Sequence, residues 1–267
     1  MSRPENLEQL CDLARRAGER TLEWWRQDPE VTDKPDDSPV TAADLAAHHM
    51  ILSGLQALTP EIPVLSEEDA DVPLAERLNW TRFWLVDPLD GTKEFIAGTD
   101  EFTVNIALIE NGQVVLGVVG APARNALYWG GLGLGAWRQR GNEAAEPITC
   151  RPAAAPVTVV ASRRHSSPEQ EAMLSRIRTL QQIEQVSVGS SLKFCLVAEG
   201  QADLYPRLAP TSQWDTAAAQ AVVEGAGGRV IGLDGQRFAY PTRESWLNGH
   251  FVAMGDVSPE LLAQVLG

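Results

Sequence analysis

The sequence predicts an α/β protein whose N-terminal half is α+β. Three observations predict it: two helical stripes open the chain, short apolar strands broken by turn residues follow, and strand-like and helix-like segments alternate in the second half. Residues 6–27 set Leu7, Leu10, Cys11, Ala14, Ala17, Thr21, Leu22 and Trp25 at helical spacing, and Asp28-Pro29 ends them. Residues 31–40 are polar with two prolines and read as a loop. Thr41-Ala-Ala-Asp44 has the form of a capping box with Asp in place of Glu and opens a helix to about Leu58. Residues 63–66 and 83–86 are apolar runs of strand length, each leading directly into acidic residues. Residues 102–110 and 113–120 flank Asn111-Gly112, a strong hairpin signal, and 126–130 and 135–139 extend an antiparallel sheet.

Residues 147–156 are rich in Pro and Ala and change the pattern, so two units are expected. Residues 1–150 form an α+β half with the antiparallel sheet. Residues 151–267 form an α/β half with a mixed or parallel sheet. In the second half, strands are expected at 157–161, 183–188 and 202–205. Helices are expected at 168–180, at 190–199, and from Asp215 to Glu224 before Gly225. The segment after Gly249 carries the weakest signal.

Composition narrows the function. With 267 residues, 44% hydrophobic and 22% charged, the chain is long enough for a large core. A formal net charge of −14 opposes binding to nucleic acid or anionic lipid. An anionic substrate would therefore need metal ions or a few placed cations. Cys11, Cys150 and Cys195 are odd in number and lack metal spacing, which points to reduced thiols in the cytoplasm. The first twenty residues mix charges without an apolar run, so no secretory signal is expected. No apolar stretch is long enough for an integral membrane segment.

Four acidic sites sit at element ends: Glu67-Glu68-Asp69 and Asp87-Pro-Leu-Asp90-Gly-Thr92 after strands, and Asp44 and Asp215 at helix starts. Open α/β sheets place ligands at the carboxyl ends of strands. Converging carboxylates recruit cations, and an oxygen-only donor set favours hard ions. Pro88 and Leu89 break the alternation that an EF-hand loop needs. Leu89 also stands where an aspartyl-nucleophile phosphatase would carry its nucleophile. A metal-activated water fits better than a covalent phospho-aspartate. Any one of these acids alone reads as a cap or turn residue.

At these residues the chain resembles the lithium-sensitive, magnesium-dependent phosphatase superfamily that includes inositol monophosphatase, and within it the bacterial 3′(2′),5′-bisphosphate nucleotidases. The matching stretches are 39–44, 79–95, 101–109, 189–200 and 211–218. The resemblance implies a layered αβαβα sandwich and Mg²⁺, two or three ions per site. It implies Glu67, Asp87, Asp90 and Asp215 as carboxylate ligands, with the backbone carbonyl of Leu89. Asp44, Glu67 and Thr92 would be catalytic, orienting the attacking water and handling its proton. Glu67, Leu89, Asp90, Gly91, Thr92 and Asp215 would border the phosphate being cleaved.

The resemblance also implies the substrate, a small bisphosphorylated nucleotide. After Asp90-Gly-Thr the chain continues Lys93-Glu94-Phe95, the form of the nucleotidases rather than that of the inositol phosphatases. His165 resembles a residue that contacts adenine, Ser190 and Lys193 resemble residues near the adenosine and second phosphate, and Arg207 resembles a second phosphate-side cation. Each has a competing reading: His165 as a cap for the next helix, Lys193 as a snorkelling helix residue, Arg207 as the partner of a surface acid. The implied reaction converts 3′-phosphoadenosine 5′-phosphate to AMP and phosphate in the service of sulfate assimilation. The alternatives are an inositol or sugar monophosphatase and a catalytically silent nucleotide-binding regulator. Monomer and homodimer both stay open, as does peripheral attachment at the inner membrane.

Overall fold

The computed structural model describes residues 6–27, 31–33, 39–161 and 167–267. Helices α1 (Leu7–Leu22) and α2 (Ala42–Leu58) are separated by a two-stranded antiparallel ribbon, β1 (Val31–Asp33) and β2 (Pro39–Thr41). A seven-stranded sheet follows in sequence order: β3 (Val64–Ser66), β4 (Arg82–Asp90), β5 (Thr103–Glu110), β6 (Gln113–Ala121), β7 (Ala126–Gly131), β8 (Gly135–Arg140) and β9 (Glu146–Ile148). It is antiparallel except where β3 runs parallel to β4. Short helices α3 (Leu74–Arg77) and α4 (Thr92–Ile96) fill the connections on either side of β4.

The rest of the chain builds a mixed five-stranded sheet from β10 (Val157–Ala161), β11 (Ile183–Ser187), β12 (Leu204–Arg207), β13 (Arg229–Gly232) and β14 (Phe251–Met254), in spatial order β11-β10-β12-β14-β13. Its helices are α5 (Pro168–Leu180), α6 (Leu192–Ala198), α7 (Ala217–Gly225) and α8 (Pro259–Leu266).

Alternation along β4 shows how the layers stack. Trp84 and Val86 face α1 and α2 with Leu10, Ala14, Ile51 and Leu55. Phe83 and Leu85 face the opposite way, into a core shared with Phe194 of α6, Val222 of α7 and Phe251 of the second sheet. Both faces of the strand are buried, so it reads as a continuous apolar run. On the far side of the second sheet, Leu174 and Ile177 of α5 and Leu261 and Val265 of α8 pack on Val157, Val159, Leu204 and Val252. The result is the expected αβαβα sandwich. Gly117 on β6 is needed for the α7 approach: a Cβ there would stand 2.0 Å from the Ala218 carbonyl oxygen.

Several local expectations change. β4 does not end at Val86 but continues through Asp87 to Asp90, with a register shift in its pairing to β5. Pro88 is tolerated because strands admit proline at bulges. Asp215 does not start a helix. It lies in the turn before α7 and accepts the Ser212 N–H on Oδ2 at 2.8 Å, which holds the turn instead of continuing the helix. β12 begins two residues late, after the tight turn at Gly200–Ala202, and so carries Arg207 at its end. β13, β14 and α8 were not expected at all. The hairpin reading holds: Asn111 and Gly112 take φ of 50° and 73°, the left-handed pair a two-residue turn needs.

Candidate active site

Residues three apart in a regular strand point to opposite faces, so Asp87 and Asp90 should diverge. The bulge removes that conflict. Asp87 pairs with Asn105 and Asp90 with Thr103, three steps on β4 against two on β5, so both carboxylates reach the same end of the sheet. Gly91 follows with φ 95°, and a Cβ there would stand 3.0 Å from the Glu101 carbonyl oxygen. This turn starts α4 and places Thr92. The Leu89 side chain is buried with Ala43, Phe95 and Phe102, anchoring the loop from the apolar side. Its carbonyl faces Thr92, whose hydroxyl lies 3.3 Å away.

Asp44 arrives from α2. Its Oδ2 accepts the backbone N–H and the hydroxyl of Thr41, at 2.8 and 2.6 Å, closing the capping box. Its Oδ1 faces the Thr92 hydroxyl at 3.3 Å. Glu67 follows β3, and its N–H donates to the Val86 carbonyl at 3.1 Å, which sets it alongside the end of β4.

These acids oppose one another. Burial, then repulsion from Glu67, Asp90 and Asp215, holds the Asp87 carboxyl well above its usual range. Burial and repulsion from Asp90 and Glu67 do the same to Asp215. Burial also raises Asp90, although Lys193 and hydrogen bonds from Ser191 pull it back. Asp87 and Asp215 each commit one oxygen to a backbone N–H, Asp87 Oδ1 to Leu89 at 3.0 Å and Asp215 Oδ2 to Ser212.

A cleft opens beside this acidic end, lined by Asp90, Gly91, Ser190, Lys193, Arg207 and Asp215. Asp44, Glu67, Asp87, Leu89 and Thr92 are not in its lining; charge coupling and hydrogen bonds tie them to the same end. Lys193 and Arg207 are 7% and 9% exposed. Lys193 Nζ donates to the Ser190 carbonyl at 2.9 Å, and Arg207 donates to the Ala209 and Pro210 carbonyls at 3.2 and 2.7 Å. Neither forms an ion pair with a carboxylate among the described residues. Burial brings the Lys193 pKa down to about 8. Lys193 is therefore no solvated helix residue, and Arg207 pairs with no surface acid among the described residues. His165 lies outside the described residues.

The inositol monophosphatase family model matches residues 3–263. The chain belongs to the inositol monophosphatase family. Among family members, the 3′(2′),5′-bisphosphate nucleotidase CysQ of Salmonella typhimurium is 51% identical over 248 residues, covering 92% of this chain and 98% of that protein. Its namesake from Escherichia coli K12 is 50% identical over the same coverage. The crystal structure of CysQ from Bacteroides thetaiotaomicron, a bacterial member of the inositol monophosphatase family, superposes with a TM-score of 0.81 at 39% identity, covering 94% of this chain and 97% of that one. The Thermotoga maritima IMPase gives 0.79 at 25% identity, with 98% and 96% covered.

As in other phosphatases of the inositol monophosphatase family, the donor set suits a hard cation. The donors are all oxygens, and cations would relieve the repulsion among the buried carboxylates. Among the described residues, no group of three or more acidic, histidine or cysteine side chains is arranged to hold an ion by itself. Glu94, known from the sequence only as part of Lys93-Glu94-Phe95, and Glu101, Tyr205, Thr211 and Thr216, which were not expected at the site, also line the cleft. Glu101 stands in a stretch that matches the family, and its Oε2 accepts the Gly189 N–H at 2.8 Å, which joins the two halves of the cleft wall. No helix among the described residues is long and apolar enough to cross a membrane.

Proposed function

We propose that this chain is a metal-dependent 3′(2′),5′-bisphosphate nucleotidase that hydrolyses the 3′-phosphate of 3′-phosphoadenosine 5′-phosphate to AMP and phosphate, clearing this by-product of sulfate assimilation. One observation carries the substrate reading. The cleft is lined by Asp90 and Asp215 of the acidic cluster and also by two buried cations, Lys193 and Arg207, that form no ion pair among the described residues. An inositol monophosphate has one phosphate and would leave these cations without a partner. The identity to bisphosphate nucleotidases supports the same choice.

Glu67, Asp87, Asp90, Asp215 and the Leu89 carbonyl are the proposed holders of two or three Mg²⁺. When bound, Mg²⁺ supplies Lewis-acid activation of the attacking water and neutralises charge growing on the phosphoryl and leaving oxygens. Thr92 and Asp44 handle the water. With the Thr92 proton directed to Asp44 Oδ1 or the Leu89 carbonyl, a lone pair of the hydroxyl is left to accept from the water. Thr41 holds the other Asp44 oxygen, which leaves Oδ1 turned toward Thr92. Glu67, beside Asp87, is the second proposed acceptor for the water's proton. Gly91 and Thr92 border the phosphoryl group and hold it in line, so catalysis is positioning and electrostatics. Lys193 and Arg207 hold the phosphate that is not cleaved, and Ser190 borders the nucleoside. His165 is proposed to contact the base.

The test is phosphate release from 3′-phosphoadenosine 5′-phosphate, its 2′-isomer, inositol 1-phosphate, fructose 1,6-bisphosphate and AMP, each with and without Mg²⁺. The expected result is Mg²⁺-dependent release from the two nucleotide bisphosphates and almost none from AMP. Preferred cleavage of inositol 1-phosphate would move the chain to the sugar monophosphatases. Binding without turnover would make it a regulator.

A further inference from the structure

Two of the proposed metal-holding carboxylates come from different parts of the fold. Asp90 ends β4 of the first sheet, and Asp215 sits in the turn before α7. They repel each other across a buried space. One side chain touches both residues. The Ser191 backbone N–H donates to Asp90 Oδ2 at 2.6 Å, and its hydroxyl lies 2.9 Å from the same oxygen and 2.7 Å from the Asp215 carbonyl oxygen. Behind it, the Asn105 amide nitrogen on β5 donates to the Ser191 hydroxyl at 2.9 Å. Ser191 and Asn105 are both fully enclosed, at 1% and 0% exposure.

The geometry has a cause and an energetic cost. Ser190 adopts φ 48°, an uncommon left-handed conformation for a side-chain-bearing residue, and this turn aims both donors of Ser191 at Asp90. A hydroxyl has one proton and two lone pairs. With Asn105 donating to it, the Ser191 proton is shared between a carboxylate of one layer and a carbonyl of another. The Asn105 amide nitrogen gives its hydrogen bond to the Ser191 hydroxyl. The carbonyl oxygen of the same amide is buried without a partner among the described residues. A buried polar atom left unpaired is unusual and calls for an explanation. Here it follows from turning the donor end of the amide toward Ser191.

We infer that Ser191, backed by Asn105, is a positioning residue for the metal centre: it fixes one Asp90 oxygen and the Asp215 backbone so that the remaining carboxylate oxygens stay close enough to share cations despite their repulsion. This rests on the carboxylate metal centre proposed above. Groups that orient metal ligands from behind typically change affinity by about tenfold to a hundredfold when removed. Ser191→Ala keeps the backbone N–H to Asp90 and loses the bridge. Asn105→Ala keeps the bridge and loses its support.

The experiment measures Mn²⁺ binding by electron paramagnetic resonance or calorimetry, without substrate, on wild type, both single variants and the double variant. Circular dichroism and metal-free unfolding midpoints are read in parallel. Ser191→Ala is expected to weaken Mn²⁺ binding about tenfold or more, and Asn105→Ala by less. The double variant should be little worse than Ser191→Ala alone, because the two act in series. Ser191→Thr, which keeps the hydroxyl, should restore most of the affinity. A folded Ser191→Ala or Asn105→Ala protein with wild-type Mn²⁺ affinity overturns the inference, as do strictly additive losses. If Ser191→Ala does not fold, Asn105→Ala decides alone. A wild type that binds no Mn²⁺ overturns the metal centre itself, and the positioning role with it.

Discussion

The acids and the bases of the cleft have opposite electrostatic difficulties. At the acidic end, burial and mutual repulsion push Asp87 and Asp215 above the ordinary carboxylate range. Among the bases, burial brings Lys193 down to about 8 against the pull of Asp90, with Arg207 adding like-charge repulsion. The protein could have relieved both by pairing acids with bases, as it does elsewhere: Arg237 with Glu224 and Arg151 with Asp203 are buried or half-buried ion pairs. In the cleft no such contact closes among the described residues, and the attraction between Lys193 and Asp90 offsets burial only in part. Charges so incompletely compensated destabilise the empty protein and favour ligands of opposite charge, cations for the acids and a phosphate for the bases. The difference between the cleft and those closed pairs is what separates a binding site from a structural network.

The sharpest way to break this comparison is at the acidic end. Asp90→Asn can still accept the Ser191 hydrogen bonds but removes one buried charge. Turnover is expected to fall by about a thousandfold or more on every substrate, since metal stabilisation of the transition state is worth several kcal/mol. The metal-free protein should be as stable as wild type or more so, because the lost charge was held against burial and repulsion. Steady-state kinetics and thermal unfolding check both halves. A stable variant with near-normal turnover would remove the acids from the chemistry.

The cationic end gives a smaller and more selective effect. Lys193→Ala should lower kcat/KM for the bisphosphate by about tenfold to a hundredfold, the value of a charge-assisted hydrogen bond of about 1.5–3 kcal/mol. Cleavage of 3′-AMP should barely change. Equal losses on both substrates would assign Lys193 to the fold or to the metal end.

A still smaller effect follows from pH. Lys193 is charged below its pKa of about 8 and neutral above it. The preference for bisphosphate over 3′-AMP should therefore fall as pH rises, by up to about tenfold between about pH 7 and about pH 9. Taking the ratio of the two substrates cancels titrations at the metal end, which both share. The Lys193→Ala variant should show no such drift. A ratio that is flat in wild type would take Lys193 out of phosphate binding.

The legible parts of the site are those whose chemistry is local. Asp87 to Thr92 announces itself because two acids, a glycine and a hydroxyl follow an apolar strand within six positions. Thr41 to Asp44 reads as a cap from its spacing, and Asn111-Gly112 as a turn from its backbone demands. What could not be read depends on contacts between distant segments. Asn105 looks like an ordinary strand residue until its amide meets Ser191, 86 positions away. The bulge that aligns Asp87 with Asp90 is a property of the β4–β5 pairing, and no residue type marks it. Asp215 has the form of a helix cap, and only its backward bond to Ser212 makes it a turn residue. Lys193 and Arg207 stood out by resemblance alone, since their burial depends on β12, α6 and the layers around them. The C-terminal strands and α8 carry apolar residues in runs too short to declare a type. β14 is recognisable as a strand only once β12 and β13 stand on either side of it.

The central claim is that one cleft cleaves a phosphate at its acidic end while its cationic end holds another. The most direct measurement compares kcat/KM of the wild type for 3′-phosphoadenosine 5′-phosphate and for 3′-AMP, in saturating Mg²⁺ at neutral pH. The two substrates share the reacting phosphate, the sugar and the base, and differ only in the 5′-phosphate. The account predicts that the bisphosphate is cleaved at least about tenfold more efficiently, with AMP and inorganic phosphate as products. Equal efficiency on the two, or faster cleavage of 3′-AMP, would contradict it.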